Sequence, residues 1–313
     1  MQDLKLRFQQ STLVFPSQQT HHHHKTLFLS SIDQSLIDCN VQILHFFSPN
    51  PHFPPQTTVA AMLKLAIQKV LVPYDFMAGR LKWNHHTARL ELHCNSAGSG
   101  FVVASSAFSL DELGDLDCPN PGFRQLAVQT LDYLDDQDQP LCVFQLTSFK
   151  CGGFAIGISV NHVLLDGSAA GMFLQNLASQ AFQDKPLAVI PCNDRHLLAA
   201  RSPPLVSFPH PEFLNPQLPV LGPPVYGSKQ ELEIKVFKIS SSDINFLKAK
   251  AAKQAAADNA TGLKITGFNV MAALIWWCRA LSLCDVEGDK DRIFTLCYAV
   301  DLRSRLNPPL PPE

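Results

Sequence analysis

Apolar and polar positions along the first half of the chain alternate or recur in ways that predict strands interrupted by one long helix. Residues 5–15, KLRFQQSTLVF, mix the two classes as a strand does, and Pro16 breaks the run. Cys39 to Phe47, CNVQILHFF, predicts a second strand. After the Pro-rich loop from Pro49 to Pro55, Val59, Met62, Leu63, Ala66, Ile67, Val70 and Leu71 share one helical face, with Lys64 and Gln68 opposite. Pro73 ends that helix. Leu81 to Cys94 reads as a hairpin turning near His85, His86 and Thr87, and the Ala97-Gly98-Ser99-Gly100 bend feeds a strand from Phe101 to Ala104. Leu141 to Phe149 and Phe154 to Val160 pair around the Gly152-Gly153 turn. The second of these is rich in Ile and Val, as a buried strand is.

From Ser168 to about Ala181, Met172, Phe173, Leu174 and Leu177 return to helical spacing. The composition then shifts. Ten prolines lie between Pro186 and Pro224, which excludes continuous helix or central strand and predicts an extended connector. Arg195 and Arg201 are expected to anchor it to the surfaces it crosses. Beyond it, Glu231 to Ile239 alternates like a strand, and Ser240 to Ser242 cap a helix carrying Ile244, Leu247 and Ala251. Thr266 opens another helix, with Val270, Met271, Leu274, Ile275, Cys278 and Leu281 inward, and Ile293 to Val300 reads as a buried strand. The expected division is a domain at 1–185, a linker at 186–224 and a second domain at 225–313.

Between the strand ending at Val160 and the helix from Ser168 stand His162 and Asp166, followed by Gly167. An imidazole with an ordinary pKa of ~6.5, set directly after a strand, can take a proton from a hydroxyl or amine. Asp166 stands where a carboxylate accepts the unbonded amides of a helix start, and Gly167 lets the chain turn. The bland alternative is a hydrogen-bonded core histidine and an ordinary cap. Other polar clusters read as solvated loops: the tract His21 to His24, and the acidic group Asp132, Asp135, Asp136 and Asp138. No metal site is expected, and the Gly98 bend lacks the strand-turn-helix context of a dinucleotide fingerprint.

Composition narrows the partners. With 46% hydrophobic and 17% charged residues, the chain is an ordinary globular one, and a net charge of −2 argues against nucleic acid or anionic membrane as the main partner. No apolar run reaches the length of a membrane span, and MQDLKLRFQQ at the start is no secretory signal. Nine scattered cysteines without CxxC pairing read as reduced thiols. A cytoplasmic monomer is expected.

The stretch around His162 resembles the HxxxDG signature of the BAHD family of plant acyl-CoA-dependent acyltransferases. Leu29-Ser30 with Asp33 resembles that family's early L-S-x-x-D, and LVPYDFMAGRL from Leu71 to Leu81 its Y-x-x-x-A-G-R-L. DRHLLAARSPP from Asp194 resembles its stretch before the domain crossover, and DLRSRLNPP from Asp301 its D-x-R-x-R-x-x-P-P turn. The family's second signature, D-F-G-W-G, is absent from the sequence, so a C-terminally truncated family member is expected.

The resemblance implies an α/β, two-domain chloramphenicol-acetyltransferase-like fold, with mixed sheets flanked by helices and the second domain incomplete. It implies acyl transfer from acyl-CoA, a co-substrate rather than a bound cofactor, to a hydroxyl or, less often, an amine. His162 is then the general base, and Asp166 and Gly167 are structural, with Arg303 of DLRSR the expected partner of Asp166 through a bidentate fork. No serine or cysteine sits in a nucleophile-elbow pattern, so no acyl-enzyme is expected. The ligands of the CoA phosphates are not identified; the helix opening at Ser240 to Ser242 reads first as a plain cap. A neutral, Phe-rich chain favours hydroxycinnamoyl, other aromatic or fatty acyl donors over malonyl. The LVPYDFMAGRL and RSPP segments are similar to those of members that join hydroxycinnamoyl groups to long-chain hydroxy lipids. Two rival readings remain: a catalytically inactive truncated product, and a peptide-synthetase condensation domain. Condensation domains carry paired histidines where this chain has Asn161-His162.

Overall fold

The computed structural model describes residues 3–20, 25–52, 55–181, 185–205, 207–209, 235–257, 262, 264–287, 294, 296–307 and 309–310. They belong to two compact units, Met1–Val225 with Leu306–Glu313, and Tyr226–Arg305.

In the first unit the alternating segments form β1 (Leu6–Val14), β2 (Lys25–Leu27), β3 (Asn40–Phe47), β4 (Arg80–Asn84), β5 (Arg89–Cys94), β6 (Ser99–Ser106), β7 (Cys142–Ser148) and β8 (Phe154–Asn161). Five of them make one mixed sheet in the order β1-β6-β7-β8-β3, and β2-β5-β4 make a smaller one. Only β6 and β7 run parallel; the other neighbours in the large sheet are antiparallel. The hairpin anticipated at Gly152-Gly153 is the β7–β8 turn, with Gly152 at φ +88°. The large sheet is covered on both faces. Phe101, Val103, Phe144, Leu146, Ile158 and Val160 pack on one side against α2 (Gln56–Val70) and α3 (Gly167–Ala181). Val102 and Val143, one residue out of phase, reach Leu131 on the other.

One close approach fixes the second layer. A Cβ at Gly157 in β8 would overlap the carbonyl of Leu126, so the turn at 121–126 lies directly on the strand because no side chain intervenes.

Helix α2 buries Leu63, Ala66, Ile67 and Val70, but Met62 is 41% exposed, contrary to the sequence reading. At about 100° per residue Met62 lies a quarter-turn from the centre of that stripe, at its rim.

The second unit departs further. Its helices, α4 (Ser241–Ala257) and α5 (Gly267–Glu287), begin at the predicted caps, Ser240 with Asp243 and Thr266 with Asn269. Ile275, Cys278 and Leu281 of α5, expected inward, are exposed. Of the strand expected at 231–239, residues 231–234 lie outside the described set, and 235–239 are irregular and exposed. Of the buried strand expected at 293–300, residues 293 and 295 lie outside it, and 296–300 are irregular and exposed. A strand needs a neighbour for its amides and carbonyls. Among the described residues this unit offers none, and α4 alone cannot enclose α5 on every side.

Candidate active site

β8 carries the chain to its hydrophilic end between β7 and β3. There Asn161 donates its backbone amide to the Leu141 carbonyl (2.8 Å), and His162 donates its own to Cys39 O (2.8 Å). Asn161 is 7% exposed and turns its side chain inward. Its Nδ2 donates to Ile37 O (2.7 Å), and its Oδ1 accepts from Val163 N (3.1 Å). The first step out of the strand is therefore a side-chain-closed turn. Val163, Leu164 and Leu165 follow, all buried, as hydrophobic anchors of the loop.

His162 is half-buried. Its Nδ1 faces the buried side and has no hydrogen-bond partner among the described residues. Asp166 is exposed at the start of α3, where Oδ1 accepts from Ala169 N and the backbone carbonyl from Ala170 N, each at 2.8 Å. It is a true helix cap. Gly167 is the first helical residue. Its φ is not left-handed and a Cβ there would meet nothing within 4 Å, so the sharp turn expected of it is made earlier, at Asn161. Arg303 lies in the second unit and donates to Asp301 Oδ1 (3.3 Å) within its own turn.

The loop is also held from the side. Arg195 begins a short turn after the Asp194 cap, in the segment crossing the domain after α3. Its Nη1 donates to Val163 O (2.6 Å) and its Nη2 to Leu164 O (3.0 Å). The same Nη1 lies 3.3 Å from Asp33 Oδ1. The guanidinium also sits 5.8 Å from the ring centroid of Phe76. Asp33 belongs to a capping box at α1 (Ser31–Gln34): its Oδ2 accepts from Ser30 N (2.7 Å), and Ser30 Oγ accepts from Asp33 N (3.2 Å). Burial pulls the Arg195 guanidinium below the ordinary arginine value, opposed chiefly by Asp33 and more weakly by Asp166. An arginine remains protonated through such a shift.

In the segment 71–81, Arg80 serves the frame: it donates to the carbonyls of Gly79 (2.8 Å), Gly98 (2.8 Å) and Asp138 (3.0 Å). Among the described residues no cluster of three or more His, Cys, Asp or Glu side chains forms a metal site.

A family model described as the Transferase family matches residues 4–313. Over 316 residues the chain is 47% identical to Acyltransferase GLAUCE of Arabidopsis thaliana, covering 100% of this chain and 68% of that protein. The chain belongs to the BAHD family of acyltransferases. Another BAHD relative, shikimate O-hydroxycinnamoyltransferase of Nicotiana tabacum, is 33% identical over 314 residues, 99% of this chain and 68% of that protein. The crystal structure of vinorine synthase superposes with a TM-score of 0.68 at 22% identity, covering 98% of this chain and 68% of that one, which shows the fold. The structure of F. graminearum TRI101 complexed with coenzyme A and T-2 mycotoxin gives a TM-score of 0.54 at 15% identity, over 85% of this chain and 61% of that one.

Sequence reasoning placed His162 and Asp166 but missed what holds them. Asn161 was given no role, and Arg195, expected to anchor the connector to the surfaces it crosses, does so on the loop after His162 itself. The signal available was that Asp33 and Arg195 each fall in a segment resembling a family signature; the pairing between them was not legible, because only the fold decides which of many carboxylates meets Arg195, and its other two partners are backbone carbonyls.

Proposed function

We propose that this BAHD chain transfers an acyl group from a coenzyme A thioester to the hydroxyl, or less often the amine, of a small acceptor, with His162 as general base. The observation that carries the reading is the half-exposed imidazole fixed at the end of β8 with Nδ1 on its buried side. That orientation leaves Nε2 as the nitrogen to meet an acceptor. Nε2 takes the acceptor O–H proton as the oxygen attacks the thioester carbonyl carbon. The tetrahedral oxyanion collapses, the C–S bond breaks, and the leaving thiolate recovers the proton from the imidazolium. The ester and free CoA-SH leave, and neutral His162 is regenerated. No covalent acyl-enzyme takes part.

Asp166 is structural in this reading, and we assign Arg303 as the partner of its carboxylate beyond the Ala169 amide. A charge-reversed pair, Asp166→Arg with Arg303→Asp, then recovers activity that either change alone removes.

For the donor we favour hydroxycinnamoyl, other aromatic or fatty acyl groups. The relatives above, a hydroxycinnamoyltransferase among them, support an aromatic donor first. The test incubates the purified chain with hydroxycinnamoyl-, benzoyl-, acetyl- and long-chain acyl-CoA against shikimate and long-chain hydroxy acids, following release of free thiol. Turnover with an aromatic donor, lost in His162→Ala, supports the proposal. Absence of turnover with every pair favours the inactive product.

A further inference from the structure

We propose that Arg195 is a positioning residue that fixes the loop from His162 to Asp166 from outside that loop. The inference rests on the general-base reading of His162 for its consequence in catalysis, though not for its geometry. Two successive carbonyls of the loop, Val163 O and Leu164 O, belong to no strand ladder. They are taken at 2.6 and 3.0 Å by the two terminal nitrogens of one guanidinium. Asp33 Oδ1 lies 3.3 Å from Nη1 as well, and the group lies over Phe76, which is 2% exposed. Asp33 cannot swing away freely, because its second oxygen is committed to the Ser30 amide. The neighbouring His196 ring stacks on Phe28 at 5.2 Å, so the crossing segment docks on 28–33 by two contacts, not one.

A planar fork matches two adjacent carbonyls and a carboxylate together, whereas a lysine ammonium is a point charge that cannot span them in one plane. The side chains of Arg195 and Asp33 are only 15% and 19% exposed, which removes most of the solvent that would weaken a surface pair. The Asn161 side chain fixes the loop's entrance, the Asp166 cap fixes its exit, and Arg195 fixes its middle.

The test compares Arg195→Met, Arg195→Lys and Asp33→Asn with the wild-type chain by hydrogen exchange and by thiol release. The expected result in Arg195→Met is faster exchange confined to the peptide covering 161–170, with β6 and β7 unchanged. With it, kcat falls about 100-fold while KM for acyl-CoA holds, as a displaced base requires. Arg195→Lys recovers part of both, and Asp33→Asn shows a smaller loss in the same peptide. If Arg195→Met does not fold, the lysine and asparagine variants carry the comparison. Wild-type exchange over 161–170 in the folded variants overturns the proposal, and so does a loosened loop with undiminished kcat. If His162→Ala turns over like wild type, the general-base reading falls, and exchange over 161–170 alone decides whether Arg195 holds the loop.

Discussion

A half-buried imidazole and a buried amide side by side make separable predictions. Replacing His162 by Ala removes the base and leaves the turn closed by Asn161, so thiol release is expected to fall by about 10²–10⁴ while the thermal midpoint barely moves. Asn161→Ala acts the other way. It leaves Ile37 O and Val163 N without their side-chain partner in a site only 7% exposed. The expected loss is about 1–3 kcal/mol in urea titration, with activity reduced through a loosened loop. The two residues differed in legibility for a physical reason. A histidine after a strand is able to carry proton chemistry, and the family signature around it decided that reading over a core histidine. An asparagine there advertises only polarity, and its role depends on which distant backbone groups, at positions 37 and 163, the fold happens to bring within reach.

At the scale of elements, strands and helices with a covered face were readable, because burial follows the period of the segment. β3, β7, β8 and α2 occur where alternation or helical spacing placed them. Elements whose covering is absent among the described residues were misread: 296–300 and the outer face of α5 have strand-like or core-like composition but are exposed, Tyr298 meeting the Phe268 ring edge-on. The cap of α3 separates charge from hydrogen bonding. Asp166→Ala removes the bond to Ala169 N and is expected to cost about 1 kcal/mol, measured by thermal melting. Asp166→Asn keeps a good cap, so a stable asparagine variant with undiminished turnover would refute the partnership proposed with Arg303. In β8, Gly157→Ala places a methyl group against the Leu126 carbonyl. The turn at 121–126 must then lift, at a cost of about 1–3 kcal/mol in denaturant titration.

For the whole molecule, burial is concentrated in the first unit, and its buried thiols tie stability to pH. Cys94 is 1% exposed in β5. Burial, with the Asp75 carboxylate adding to it, pushes its thiol from 9.0 up to about 12, against the opposing pull of Arg195 and Lys25. Cys142, buried in β7, is raised by burial as well. A raised acid favours the folded state only while protonated. Below the unfolded value near 9 the stabilisation is complete, and it is lost as pH rises through the window from about 9 to about 12. The melting temperature of the wild-type chain is therefore expected to fall as pH is raised from about 8 to about 10, where unfolded thiols ionise. Cys94→Ala leaves a small cavity and lowers the midpoint at every pH, so the measured quantity is the slope, not the level. A shallower slope in Cys94→Ala than in wild type is the expected outcome, since lysine and tyrosine titrations are common to both proteins. Equal slopes would mean that Cys94 ionises as readily folded as unfolded, and would refute its burial against Asp75.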